Sequence, residues 1–429
     1  MWLPSDLSHI CIVGGGNATH VLSALLCASS AELHVSILAP FQDEAERLSA
    51  SPGITLDQPD GSTLTGKPHL ITASPAAALE KARLVILPLP LFAVPAVCDL
   101  IAPHLAHGAW VAFFPAQGGV QWLAADLLGL RKNRPDLKLF GLDKLPYNCR
   151  ILEFGKRVRV FGYKERLKLA CYPNDPVLAK RMCSTVSAII PRLQLSPAPN
   201  FLLATLAPGN QCIHPARMYS LFKDNTTRKT VPMFYDMKSY DDVKYIQLVS
   251  DEVQAISRAI EKVAKGMGLT LDLSGVLDVG DAVLAAYDDV KDTSSLMTIF
   301  STCKGFEGIG TPMKKVIKDG EPIYQVDWHS RYFTEDIASL CVLHGLAEIV
   351  DVQVPTIDLL IRWAQVHMDD GEYQFVTEDG SLNTDRKKLM YSPQYWGITD
   401  KEQLVRFHAE VQSDSTADPN GTATTDTTS

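Results

Sequence analysis

His214 stands four residues after Asn210 and directly before Pro215, in the run Asn210-Gln-Cys-Ile-His-Pro215. Histidine is the side chain whose ordinary pKa lies near neutrality, which makes it a candidate general acid or base wherever a substrate can reach it. A lone histidine beside a proline is more often structural, so His214 needs a partner to acquire a role. One is offered farther along, in His329-Ser-Arg331-Tyr-Phe-Thr-Glu-Asp336. Arg331 carries a planar fork that fits a carboxylate, and Asp336 an acceptor able to orient a histidine. The same run also reads as a plain helix start, with Thr334 as N-cap and Glu335 and Asp336 as first-turn acids. Spacing leaves both readings open.

A third group sits near the beginning. Gly14, Gly15, Gly16 and Asn17 lie between an apolar run, His9 to Val13, and a helical pattern through Val21, Leu22, Ala24, Leu25 and Leu26. Strand, glycine turn and helix is the context of a dinucleotide loop, in which a pyrophosphate rests on the N–H groups of the helix terminus. The third fingerprint position is Thr19 rather than Gly or Ala. An acid for the ribose hydroxyls belongs at the end of the next strand, Leu33 to Leu38, but Leu38-Ala-Pro-Phe41 supplies neither acid nor arginine. Asp43 and Glu44 read as first-turn residues of a helix, so spacing does not choose between NAD and NADP.

The elements that must hold these groups come in two textures. Up to Asn200, strand and helix alternate: His69 to Thr72 reads as an edge strand, and Leu84 to Leu89, Trp110 to Pro115 and Leu137 to Gly141 as buried strands, the last of them closing the series. Ligands of open parallel sheets lie beyond the carboxyl ends of the strands, so Pro90, Phe92, Gln117 and Gly118 are expected to face the crevice, with simple turn chemistry the competing reading. Arg157 to Phe161 and Leu167 to Ala170 predict a hairpin, Asn174-Asp-Pro176 a helix start, and Pro191 to Pro199 a linker. Beyond Asn200 strand-like alternation nearly disappears. Helices are expected at Asp251 to Met267, Gly280 to Val290, Ser295 to Cys303, Thr334 to Ile349 and Ile357 to Val366, with a last one ending near Val411. The expected fold class is α/β: a Rossmann-type dinucleotide-binding domain over 1–200, a mostly α-helical domain over 201–412, and a disordered polar tail over 413–429, with the cleft between the domains.

Composition removes several classes of function. A net charge of −9 with no basic stripe argues against a nucleic-acid partner. The nine cysteines form no Cys-x-x-Cys pair, so no metal site is expected and free thiols in a reducing cytoplasm fit best. The longest apolar stretch, Leu84 to Cys98, is broken by Pro88, Pro90 and Pro95, and the N-terminus lacks a signal-peptide pattern, so no membrane association is expected.

The chain resembles the opine dehydrogenases, of the octopine, tauropine and alanopine dehydrogenase type found in marine invertebrates. The similar blocks are Val13-Gly-Gly-Gly-Asn17, Asp43-Glu-Ala-Glu-Arg47, Leu145-Pro-Tyr-Asn-Cys-Arg-Ile-Leu-Glu-Phe-Gly155, His214-Pro215, Arg331-Tyr-Phe-Thr-Glu-Asp-Ile337, Trp363-Ala-Gln365 and Gly371-Glu-Tyr373, in order over about residues 8–400. The resemblance implies an NADH-dependent reductive condensation of an α-keto acid, usually pyruvate, with the amino group of an amino acid, reoxidising NADH during anaerobic glycolysis. It implies NAD in preference to NADP, and a monomer. It makes His214 the acid/base and Asp336 its dyad partner, with Arg331 on the keto-acid carboxylate and Gln117 and Cys149 lining the substrate pocket. Gly14, Gly15, Gly16 and Asn17 would hold the pyrophosphate, with Pro90 and Phe92 on the cofactor side.

One departure bears on the amine. Arginine-using members are expected to carry an aromatic where Asn210 stands, so Asn210 joins the substrate-binding candidates, and taurine, β-alanine, alanine or glycine stand beside arginine as co-substrates. Two other readings remain: a ketopantoate- or hydroxyacid-type reductase that needs no amine, and an NAD(H)-binding sensor without turnover.

Overall fold

Strands buried on both faces must be apolar along their whole length, and β1 (His9–Val13), β6 (Leu84–Leu87) and β7 (Trp110–Phe113) nearly are. In the computed structural model, which describes residues 7–116, 118–164, 166–368, 374–383 and 391–409, they form the centre of an eight-stranded sheet. Flanking them are β2 (His34–Leu38), β5 (Leu70–Thr72), β8 (Lys138–Leu142), β11 (Arg166–Tyr172) and β12 (Gln194–Pro197), in the order β12-β11-β8-β7-β6-β1-β2-β5. The pleat sends alternate side chains to opposite faces. Cys11, Val13, Val85, Leu87, Val111 and Phe113 enter a core that runs on into the helical half. Ile10, Ile12, Leu84, Ile86 and Ala112 enter a second core beneath the helix Asn17–Ser29. One face of the sheet is therefore welded to the helices that carry His214 and Asp336.

A second sheet was not foreseen. It joins β3 (Ile54–Asp57) and β4 (Thr63–Gly66) to β9 (Tyr147–Glu153) and β10 (Arg157–Tyr163), in the order β4-β3-β10-β9. The expected hairpin of β10 with β11 is wrong for the same reason. Gly155, at φ +75°, lets β9 turn directly back onto β10, so the antiparallel partner of β10 is the strand before it. The partners of β11 are β8 and β12. The expected linker contains β12, parallel to β11, and β8 is not the last strand of its sheet.

The helical half holds the long amphipathic helix, which starts at Tyr240 rather than Asp251 because Ser239 and Asp242 form a capping box, and ends at Gly266. Alternation does return after Asn200, in a small sheet of β13 (Thr227–Arg228), β14 (Met313–Lys318) and β15 (Glu321–Val326). The helix expected from Thr334 is two pieces, Arg331–Thr334 and Asp336–Ile349, capped at Ser330 and Glu335. Thr334 is not a cap; its hydroxyl donates back to the Ser330 carbonyl. Gly371 to Tyr373 and the tail 413–429 lie outside the described residues. Among the described residues no helix is long and apolar enough to cross a membrane.

The final helix, Lys401–His408, returns to the first half. Asn174 donates to the His408 carbonyl at 2.9 Å, and Tyr172 stacks on Phe407. The buried His408 ring donates from Nδ1 to the Leu404 carbonyl at 2.9 Å, and its Nε2 accepts from the Gln121 amide at 3.2 Å. Burial lowers its pKa from 6.5 to about 4. The folded state thus needs the neutral ring: the stabilisation is complete above pH 6.5 and drains away as pH falls toward 4, by roughly 3 kcal/mol. Urea midpoints at pH 7.5 and 4.5 are expected to differ more in the wild type than in His408→Gln; equal differences would remove His408 as the cause.

Candidate active site

Apolar spacing places the helix Asn210–Phe222 against the long helix, and its fifth residue, His214, turns into the protein interior. His214 Nδ1 lies 2.8 Å from Asp336 Oδ2, and both side chains are buried. An ionised carboxylate only accepts, so Nδ1 carries the proton and Nε2 is left with its lone pair. Nε2 meets the Tyr235 hydroxyl at 3.1 Å. Burial drives the Tyr235 pKa well above 10, so the phenol keeps its hydrogen and donates it to Nε2. Tyr332 stacks flat on the imidazole, with centroids 3.8 Å apart and planes at 10°. Phe234 closes one edge, and Phe306 stacks on Tyr235 at 4.1 Å. The ring has one proton donor, one acceptor and almost no rotational freedom, which suits directed proton transfer.

Arg217, one turn after His214, fixes the far side. Its Nε donates to the Phe234 carbonyl at 2.9 Å and its Nη2 to that of Asp236 at 3.2 Å, while Nη1 pairs with Asp242. The loop that carries Tyr235 is therefore clamped to the histidine helix itself. Tyr235 and Arg217 were missed as site residues. Tyr235 lies in Met233-Phe-Tyr-Asp236, a loop with no periodicity to mark it, and only the fold brings it onto Nε2.

Other candidates are placed differently. Arg331 sits at the start of its short helix, exposed, with Nε on Glu335 Oε2 at 3.0 Å. The guanidinium is largely exposed while Glu335 is mostly buried, so a ligand carboxylate can approach the open side of Arg331 with the Glu335 contact kept. Asn210 is the exposed first residue of the histidine helix. Cys149 lies in the second sheet opposite Val160, and burial pushes its thiol up to about 11, so it stays protonated. Gln117 lies outside the described residues. Its neighbour Gly118 packs on Leu91 and close to Ser339, which brings the loop after β7 against the helix that begins at Asp336.

At the carboxyl end of β1, Gly14 adopts φ +98° and donates to the Leu38 carbonyl at 2.7 Å. Gly16 caps the helix Asn17–Ser29 with no side-chain acceptor, and open space surrounds its Cα face. Unclaimed N–H groups at an open helix terminus fit a pyrophosphate. The Asn17 side chain is spent on the fold, its Oδ1 accepting from the Ile151 N–H at 2.7 Å. Pro90 and the exposed Phe92 follow β6 at the same edge. Glu44 was read only as a helix-start residue, yet its carboxylate lies where a side chain on Gly15 would stand. It puts an acid beside the loop that the second strand failed to supply. Among the described residues no three His, Cys, Asp or Glu side chains group as metal ligands would.

An open helix N-terminus behind the glycine turn of β1 and a buried, oriented histidine are the features of a dinucleotide-dependent oxidoreductase. Comparison with known proteins narrows the class. Residues 197–368 match the family described as NAD/NADP octopine/nopaline dehydrogenase, alpha-helical domain. The chain is 31% identical to the octopine dehydrogenase of Mizuhopecten yessoensis over 413 residues, 92% of this chain and 98% of that one. It is 31% identical to the tauropine dehydrogenase of Arabella iricolor over 370 residues, 82% of this chain and 90% of that one. A solved octopine dehydrogenase with NADH and L-arginine superposes with a TM-score of 0.80 at 28% identity, over 92% of this chain and 97% of that one. The chain belongs to the opine dehydrogenase family.

Proposed function

We propose that the protein joins a 2-keto acid, pyruvate or a near relative, to the amino group of an amino acid and reduces the product with NADH. Residues 1–200 serve the cofactor and 201–412 the substrates, in a monomeric cytoplasmic enzyme that regenerates NAD under anaerobic glycolysis. The observation that carries this reading is the buried Asp336–His214–Tyr235 chain, with His214 Nε2 as its variable proton site. Bound NADH supplies the hydride. The chain's own groups handle charge and protons: Arg331 turns its exposed guanidinium to the keto-acid carboxylate, and Asp336 stabilises the imidazolium. Nε2 delivers the proton needed by the oxygen that leaves as water during condensation. Asn17 contributes its backbone N–H to the pyrophosphate seat, together with Gly15 and Gly16, while Gly14, its N–H held by Leu38, shapes the turn.

The test is NADH oxidation with pyruvate and a panel of taurine, β-alanine, alanine, glycine and arginine. Amine-dependent turnover supports the proposal. Oxidation by keto acid alone would point to a ketopantoate- or hydroxyacid-type reductase, and binding without any turnover to a sensor.

Glu44 bears on cofactor choice. An acid beside the loop favours ribose hydroxyls and repels a 2′-phosphate. Glu44→Gln is expected to raise the NADPH/NADH ratio of kcat/KM on the order of tenfold, equivalent to about 1.4 kcal/mol. An unchanged ratio would show that Glu44 does not read the ribose.

A further inference from the structure

The carboxyl end of β8 runs into Asp143 and Lys144, and β11, antiparallel to β8, begins at the same edge with Arg166 and Lys168. These four line a cavity of about 450 Å³ whose remaining wall includes Ala207 and Pro208. Pro208 leads through Gly209 directly into the histidine helix. The cavity therefore lies at the β11–β12 edge of the sheet and reaches the chain just before the histidine helix.

Its charge is unbalanced. Three cations face one lining carboxylate, and Asp143 is already engaged, accepting from the Lys168 N–H at 3.0 Å. Asp272, which feels Lys168, is held by the Ser274 N–H and hydroxyl at 2.9 and 2.6 Å. Lys164 adds a further positive charge next to Lys144; its ammonium donates to the Leu145 carbonyl at 3.3 Å. Desolvation and neighbouring lysines lower the pKa of both Lys144 and Lys164, with Asp143 opposing. An anion in the cavity would relieve this repulsion, and a second guanidinium would add to it.

We propose that this cavity receives the anionic end of the amine co-substrate, so that the preferred amines carry a carboxylate or sulfonate away from the reacting nitrogen and a cationic side chain is rejected. The inference rests on the opine dehydrogenase reading and gives its amine a charge class. The keto acid has Arg331 as its own proposed anchor, which leaves the Lys144 group for the second substrate.

The experiment compares kcat/KM for taurine, L-glutamate, L-alanine and L-arginine at saturating pyruvate and NADH, in the wild type, Lys144→Glu and Lys168→Glu. Lys168→Gln at the exposed position serves as the mild variant, and NADH binding followed by fluorescence verifies folding. Taurine or glutamate is expected to exceed arginine by about tenfold or more, equivalent to roughly 1.4 kcal/mol, with the gap closing or reversing in the charge-reversed variants. Arginine leading in the wild type would overturn the inference, as would an unchanged ranking in folded variants. With pyruvate titrated separately at saturating amine, a rise confined to the KM of pyruvate would overturn it too, by giving these cations to the keto acid. Absence of turnover with every amine would instead remove the opine dehydrogenase reading itself.

Discussion

His214→Ala is expected to lower kcat by roughly 10²–10⁴ while leaving NADH affinity within about twofold. The reason is local. His214 is the titratable group that joins the buried Asp336 carboxylate to the Tyr235 hydroxyl, at 2.8 and 3.1 Å, so its removal deletes the proton site without touching the glycine loop. The substitution also leaves space under Tyr332, which stacks on the ring, and leaves Asp336 without its donor. Stability is therefore expected to fall as well, by about 2–4 kcal/mol, from lost packing and an unpaired buried acid. Stopped-flow NADH binding together with steady-state turnover separates the two effects. Turnover near the wild-type level would assign the chemistry to another group.

Asp336→Asn is the sharper experiment, because the shape of the side chain is kept. A carboxylate accepts from Nδ1–H, whereas an amide nitrogen offers a hydrogen to Nδ1 and favours the opposite tautomer. Nε2 would then carry the proton in the neutral ring and point it at the Tyr235 oxygen, and a protonated ring would lose its counter-charge. In the Ser-His-Asp triad the corresponding change costs about 10⁴ in kcat, and a loss of 10²–10⁴ is expected here. Imidazole ¹⁵N shifts of His214 report the tautomer directly. A folded variant with the tautomer switched and kcat unchanged would mean that the dyad geometry is structural only.

Both predictions depend on contacts at long sequence separation, which bounds what spacing can reveal. The glycine turn was legible because its chemistry is local: Gly14 needs a positive φ, and the helix behind it needs an open N-terminus. The central strands were legible because burial on both faces makes them apolar throughout. Thr334 illustrates the converse. A good capping residue type stood before two acids, yet the chain had already begun a helix at Arg331 and capped it at Ser330. Propensity names the residues that can cap, and tertiary packing chooses among them.

Sequence by itself determined the α/β class, the glycine turn that opens the first helix and, through family resemblance, the pairing of His214 with Asp336. Tertiary structure alone decided what lies across space. It put Tyr235 on Nε2 and Arg217 behind it, brought the Glu44 carboxylate to Gly15, placed Cys149 in a second sheet, and gathered Lys144, Arg166 and Lys168 around one cavity. The division has a physical cause. A turn or a helix start is fixed by a few neighbouring dihedrals and donors, whereas a site is fixed by which faces the hydrophobic core presses together, and that depends on the whole chain at once.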